Sequence, residues 1–248
     1  MAETTLISWC RATFSPWWGC IGPISPGCDH CYANALDKRS GGSHWGPHAE
    51  PRVMSESYWR QPLKWNRKAE AEGSRWRVFP SMCDSFDKKA PPGQRERHWE
   101  LVRQTPMLDW LLLTKLPTNI PRFLPGDWEN GYPNVWLGVS VEDRAYGLPR
   151  IDALRNIPAV VRFLSIEPLL EDLGGVDFTG ISWAIIGGES GRNARPMEIE
   201  WAENIIRQCR EQGVSVWFKQ VGGRDSDKGG CLLNGVEIKE LPRIAWSP

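Results

Sequence analysis

The order of apolar runs predicts an α/β protein. The expected architecture is a partial (β/α) TIM-type barrel of six to seven parallel strands, with a small C-terminal β-hairpin appendage. Two observations carry this. Six short runs rich in Val, Ile, Leu, Phe and Trp recur along the chain: RVFPSM (77–82), MLDWLLLT (107–114), NVWLGVSV (134–141), VVRFLSI (160–166), ISWAIIGG (181–188) and VSVWFKQ (214–220). Unbroken apolar runs of that length suit strands buried on both faces. Helical stretches separate several of them, and alternation of strand and helix implies a parallel sheet with right-handed crossovers.

The elements follow in order. A seventh strand is expected near FSPWWGC (14–20). The segment 38–76 is the least regular part and reads as an insertion after the first helix. PPGQRERHWELVRQ (91–104) ends before Thr105-Pro106, and EDRAYGLPRIDALRNI (142–157) stops at a proline. EIEWAENIIRQCREQG (198–213) has helical spacing at Trp201, Ile205, Ile206 and Cys209 and ends on Gly213. The barrel is expected over 1–221. The tail 222–248 carries turn signals at Gly222-Gly223, Gly229-Gly230 and Asn234-Gly235 and reads as the hairpin.

Bulk composition narrows the function. With 30 basic and 30 acidic side chains the formal charge is zero, so no general attraction to nucleic acid is implied. No apolar run approaches the roughly 20 residues that span a bilayer, and no membrane partner is expected. The segment MAETTLISWC lacks the basic and apolar regions of a secretory signal, so a cytoplasmic location is expected. There the 7 cysteines are thiols or metal ligands rather than disulfides.

Three of them, Cys20, Cys28 and Cys31, lie in one loop, GCIGPISPGCDHCY (19–32). Cys28 and Cys31 have the spacing that lets two thiolates reach one metal centre, and glycines and prolines fold Cys20 back toward them. The following YANALDKR helix directs its N-terminal amides at the loop, which favours negative charge. A zinc knuckle is an open alternative, with Cys10, His30, His44 or His48 as fourth ligand.

Polar residues close nearly every expected strand: Ser81 and Asp84; Thr114 and Lys115; Ser140 and Glu142; Ser165 and Glu167; Glu189 and Ser190; Lys219 and Gln220. Chemistry in βα architectures sits at the carboxyl ends of the strands. Individually such residues serve as helix caps; as a set they suggest one polar mouth. The stretch YWRQPLKWNRKAEAEGSRWR (58–77) interleaves tryptophan and cations. That pattern stacks nucleic-acid bases, although a surface helix with its tryptophans turned to the core is the more economical reading.

The motifs FSPWWGCIGPISPGCDHCYA, VFPSMCDSFD, LLLTKLP, VWLGVSVE, RFLSIEPLL, IIGGES and WFKQVGG, in that order from about residue 7 to 223, resemble a phage-associated family of radical S-adenosylmethionine-like proteins. The resemblance implies a 4Fe-4S cluster on Cys20, Cys28 and Cys31, S-adenosylmethionine on the open iron, and an external one-electron reductant. Within it, Ser81 and Asp84 are expected to take the methionine amino group, and Lys115, beside Thr114, its carboxylate. Ser140 and Glu142 are expected at the ribose, with Ser165 and Glu167 next around the mouth. Glu189 and Lys219 are the expected catalytic residues, with Cys83 a hydrogen donor to a radical. Trp17, Arg192, Arg195 and Gln220 are expected to face the substrate. The implied substrate is DNA or a modified nucleoside, with isomerisation of a hypermodified pyrimidine favoured. The implied location is the cytoplasm of an infected host. A thymine-lesion repair lyase and a non-catalytic zinc- or cluster-stabilised nucleic-acid-binding protein are the alternatives. The chain departs from the common radical-enzyme pattern. Its cysteine gaps are seven and two residues, and its Gly187-Gly188-Glu189 comes late in the chain.

Overall fold

The computed structural model describes residues 3–225 and 227–244. Position 226 and positions 245–248 of the expected appendage lie outside them. The chain divides into two units, 1–24 with 31–137 and 158–160, and 25–30 with 138–157 and 161–248.

The first unit opens with β1 (Ala12–Thr13), β2 (Trp17–Trp18), α1 (Tyr32–Arg39), β3 (Arg52–Val53), α2 (Glu56–Trp59) and α3 (Gln61–Ala71). It continues through β4 (Trp76–Phe79), α4 (Gln94–Gln104), β5 (Leu108–Thr114), α5 (Ile120–Phe123) and the start of β6 (Val135–Ser140). The second holds the end of β6, then α6 (Gly147–Arg155), β7 (Val161–Ile166), β8 (Trp183–Gly187), α7 (Ile199–Glu211), β9 (Ser215–Gln220), β10 (Leu232–Leu233) and β11 (Val236–Glu237). Seven strands form one sheet in the order β1-β4-β5-β6-β7-β8-β9. Pairing is parallel where the register is defined, as in Ala12 opposite Val78, Trp76 opposite Leu108, Phe163 opposite Trp183 and Ala184 opposite Val216. Strand order, parallel pairing and intervening helices are those of a partial (β/α) TIM-type barrel.

The central strands are buried along their length, as their unbroken apolar runs require; Val135, Leu137 and Val139 have no exposed surface, nor do Ala184, Ile185 and Ile186. The first sheet strand lies at 12–13, ahead of the expected 14–20. Pro16 explains this: it lacks an N–H for the ladder and interrupts the run. Beyond it, β2 pairs antiparallel with β3 instead. Helix α6 starts at Gly147 rather than 142, because residues 143–146 form a separate turn in which Asp143 accepts the N–H groups of Tyr146 (2.7 Å) and Gly147 (3.2 Å).

The base-stacking reading of 58–77 is overturned. Trp59, Trp65 and Trp76 are each no more than 3% exposed. They supply core area, and Arg11 and Arg97 stack on Trp76 and Trp59 from outside. The hairpin β10–β11 is present. Its turn, Asn234-Gly235, has φ of 50° and 77°, the left-handed pair of a type I′ turn. Among the described residues no helix is long and apolar enough to cross a membrane.

Candidate functional site

The three-cysteine loop follows β2 and ends at α1. Gly19 precedes Cys20 at φ 137°, and a Cβ there would sit 2.6 Å from the carbonyl oxygen of His44. Only glycine allows that approach. The Cys20 sulfur accepts the N–H of Gly22 at 3.4 Å. Cys31 occupies the N-cap of α1, and its carbonyl receives the Ala35 N–H. In the second unit, Cys28 closes a one-turn 3-10 helix, Pro26–Cys28, and its N–H donates to Ser25 at 2.8 Å. None of the three forms a disulfide, and all are partly exposed. Three soft sulfur donors, one already receiving an N–H, have the chemistry of iron–sulfur ligation. Among the described residues no group of three or more His, Cys, Asp or Glu side chains is drawn together to hold a metal ion.

Two carboxylates expected at cofactor and substrate instead hold the segment 25–30. Glu142, with no exposed surface, accepts the Ser25 hydroxyl and pairs with Arg150 at 2.6 Å. Arg150 also donates to the Ser140 carbonyl at 2.9 Å. Gly27 packs on the same group, since a Cβ there would lie 2.8 Å from Glu142 Oε1. Beside its expected place at the ribose, Glu142 thus ties a protein cation to the loop.

Glu189 follows β8 and is 6% exposed. It meets His30 Nδ1 at 2.8 Å and takes the Arg195 guanidinium on both oxygens, at 2.5 and 3.0 Å, and its backbone N–H at 2.9 Å. Burial pushes this carboxyl up, but Arg195 and His30 outweigh it and hold it below the usual range. Arg195 reaches on to the Pro26 carbonyl at 3.0 Å and Asp29 at 3.4 Å. Arg195, expected to face the substrate, places its fork on Glu189 and the loop. The same contacts make Glu189 an anchor of 26–30 rather than a free catalytic group. Gly188 makes this possible, since a Cβ on it would lie 1.9 Å from the Val221 carbonyl oxygen.

In the first unit, Asp84 braces two strand ends. One oxygen accepts the Thr114 hydroxyl (2.7 Å) and Lys115 N–H (3.1 Å), the other the Phe86 N–H (2.9 Å). Burial raises the Asp84 carboxyl, and these three donors draw it part of the way back. Asp84 and Thr114, both expected at the cofactor, are thus linked to each other, and Asp84 also to the Lys115 and Phe86 N–H groups. Ser81 lies in the same turn, and its carbonyl takes the Tyr32 hydroxyl at 3.0 Å. Cys83 bridges Gly19, and burial pushes its thiol well up, so it keeps its S–H at neutral pH. Trp17 has no exposed surface. Trp17, expected to face the substrate, packs in the core.

The remaining strand-end residues lie in the second unit. Ser140 and Ser165 are buried, and the Ser165 hydroxyl donates to Glu167 at 3.2 Å. Glu167 follows the end of β7 and pairs with Lys219 at 2.8 Å. Burial, then Lys219, lowers Lys228 nearby. Gln220 is buried and its amide donates to the Gly188 carbonyl at 2.9 Å. Arg192 is exposed.

Sequence reading missed Ser25 and Arg150 entirely and weighed His30 only as a metal ligand. Arg150 had one available signal: it is a cation in the first turn of a helix whose other buried residues, Ile151 and Leu154, are apolar.

The family model for a protein of unknown function, DUF5131, matches residues 4–242. The chain belongs to that family. No curated protein matches its sequence. Two solved structures of spore photoproduct lyase are similar to this DUF5131 chain at 12% identity. One is complexed with dinucleoside spore photoproduct (TM-score 0.47) and one is a double mutant with bound AdoMet and the same dinucleoside (0.46). Each match covers 82% of this chain and 62% of the lyase, so the chain spans less than two thirds of the lyase's length.

Proposed function

We propose that this DUF5131 chain is a radical S-adenosylmethionine enzyme acting on a modified pyrimidine of DNA, with Cys20, Cys28 and Cys31 holding a 4Fe-4S cluster. One observation carries the reading. Three thiols, none in a disulfide, stand before the first long helix of a parallel βα sheet, in a loop fixed by two carboxylates. When bound and reduced by an external one-electron donor, the cluster and S-adenosylmethionine supply a 5′-deoxyadenosyl radical that abstracts hydrogen from a substrate; the protein supplies binding, orientation and exclusion of water.

The chain's own residues then divide the work. Glu142 with Arg150, and Glu189 with Arg195 and His30, hold the segment around Cys28 in place. Lys115 is the cation for a methionine carboxylate, and Ser81 offers a polar contact to its amino group. The polar atoms of Ser140, Ser165 and Glu167 line the strand ends for the nucleoside part of the cofactor. Cys83 holds a protonated thiol, the form required of a hydrogen donor. Lys219, paired with Glu167, and Arg192 are left for substrate. The motif resemblance to phage-associated radical proteins supports an isomerisation of an amino-acid-decorated thymine rather than its cleavage.

Incubating reduced protein with S-adenosylmethionine and DNA carrying hypermodified thymine tests this. Nucleoside mass spectrometry is expected to show a product of unchanged mass and altered retention. A product of lower mass would move the reading to a lyase. No change in any nucleoside would contradict DNA as substrate.

A further inference from the structure

A cleft of about 250 Å³ in the first unit lies outside every residue assigned above. It lies along α4, from Arg95 to Arg103, against the end of α5 and the residues that follow it, Arg122 to Pro125. Its apolar wall is Trp99 and Phe123, tied together by a 3.0 Å bond from the indole N–H to the Phe123 carbonyl. Its cations are Arg95, Arg103 and Arg122, against the single acid Glu96.

The three arginines differ in their partners. Arg103 is neutralised by Asp127 at 3.1 Å and Glu100 at 3.2 Å. Neither Arg95 nor Arg122 forms an ion pair with any described carboxylate. Arg95 stacks on the Phe123 ring at 3.7 Å and donates to the carbonyls of Ser85 (3.0 Å) and Asp87. Those bonds orient the guanidinium and supply no counter-charge. Burial depresses its proton affinity, the mark of a cation partly stripped of water. Arg122 lies exposed over the same ring, at 5.5 Å. Two guanidiniums without an ion-pair partner among the described residues, one of them pre-oriented, flank an aromatic ring in a concave site; the carboxylates of Glu96, Asp87 and Asp84 act on Arg95 only from beyond ion-pair distance.

An anion entering there offsets the desolvation already borne by Arg95 and gains charge-assisted bonds. The cleft is smaller than the roughly 300–1,000 Å³ of pockets that engulf a whole drug-sized ligand, and it suits one charged group with an adjoining flat face. Guanidinium forks match tetrahedral oxyanions. We propose that this cleft binds a phosphate group carried by a nucleotide or a nucleic-acid strand. The proposal is independent of the cysteine loop.

The test uses the full chain without iron, reductant or S-adenosylmethionine. Fluorescence anisotropy follows binding of a labelled oligodeoxythymidylate, and thymidine 5′-monophosphate, inorganic phosphate and thymidine compete. Arg122→Glu, on an exposed side chain, is expected to keep its circular dichroism and to weaken binding by about tenfold or more, with the salt slope reduced by about one. Arg95→Gln is expected to weaken binding as well. Competition by the monophosphate at concentrations that displace the oligonucleotide assigns the site to a nucleotide; its failure to compete assigns a strand. Either supports a phosphate site. Unchanged affinity and salt slope in Arg122→Glu, or thymidine competing as well as its monophosphate, would overturn it.

Discussion

Cys28→Ala protein, reconstituted anaerobically with iron and sulfide, is expected to lack the brown absorption of the wild type and to form no 5′-deoxyadenosine above the enzyme-free level. Cys28 ends a one-turn helix that is tied to Ser25 and Arg195. Nothing else in that turn offers a soft donor to replace the sulfur. Cys10→Ala is the matched control. Cys10 is buried, its thiol turns to the Ile7 carbonyl, and its loss leaves the loop untouched. Equal loss of absorption in both variants would mean that the effect reports general damage; full retention in Cys28→Ala would remove Cys28 from the ligand set.

Glu142→Ala is expected to cause the largest loss of stability. The carboxylate is wholly buried and faces Arg150, itself only 6% exposed. Removing one partner of a buried ion pair strands the other charge and costs about 3–5 kcal/mol. For a chain of this size each kcal/mol lowers the melting temperature by roughly 2–4 °C, so a fall on the order of 10 °C is expected in thermal denaturation. The Ser25 anchor is lost in the same step. A double variant, Glu142→Met with Arg150→Met, removes both charges and is expected to melt above Glu142→Ala, because no buried charge is left unpaired. A melting temperature for Glu142→Ala within about 2 °C of wild type would contradict the anchoring role.

The strands were legible because each is a short apolar run, and burial on both faces leaves no alternation to confuse the reading. The first was misplaced because Phe14 and Trp17 look like strand residues, while Pro16 between them sends the chain out of the sheet. The one-turn helices after β5 were not anticipated. LPTNIPRF carries no apolar period long enough to register, and its prolines fit either a loop or a helix start.

The strand-end carboxylates were legible as a set, and their partners were not. A sequence shows that Glu142, Glu189 and Arg195 are charged; it does not show that Glu189 and Arg195 neutralise each other, or that an arginine eight residues downstream, in the first turn of the next helix, claims Glu142. Trp17 shows the same limit. Its type fits a stacking surface or a core, and only burial decides between them.

Iron and acid-labile sulfide, quantified on anaerobically purified wild-type chain, test whether the three thiols hold an iron–sulfur cluster. A brown protein with about four irons and four sulfides per chain is expected, the content of one 4Fe-4S cluster. A colourless protein carrying one zinc and no sulfide would contradict it.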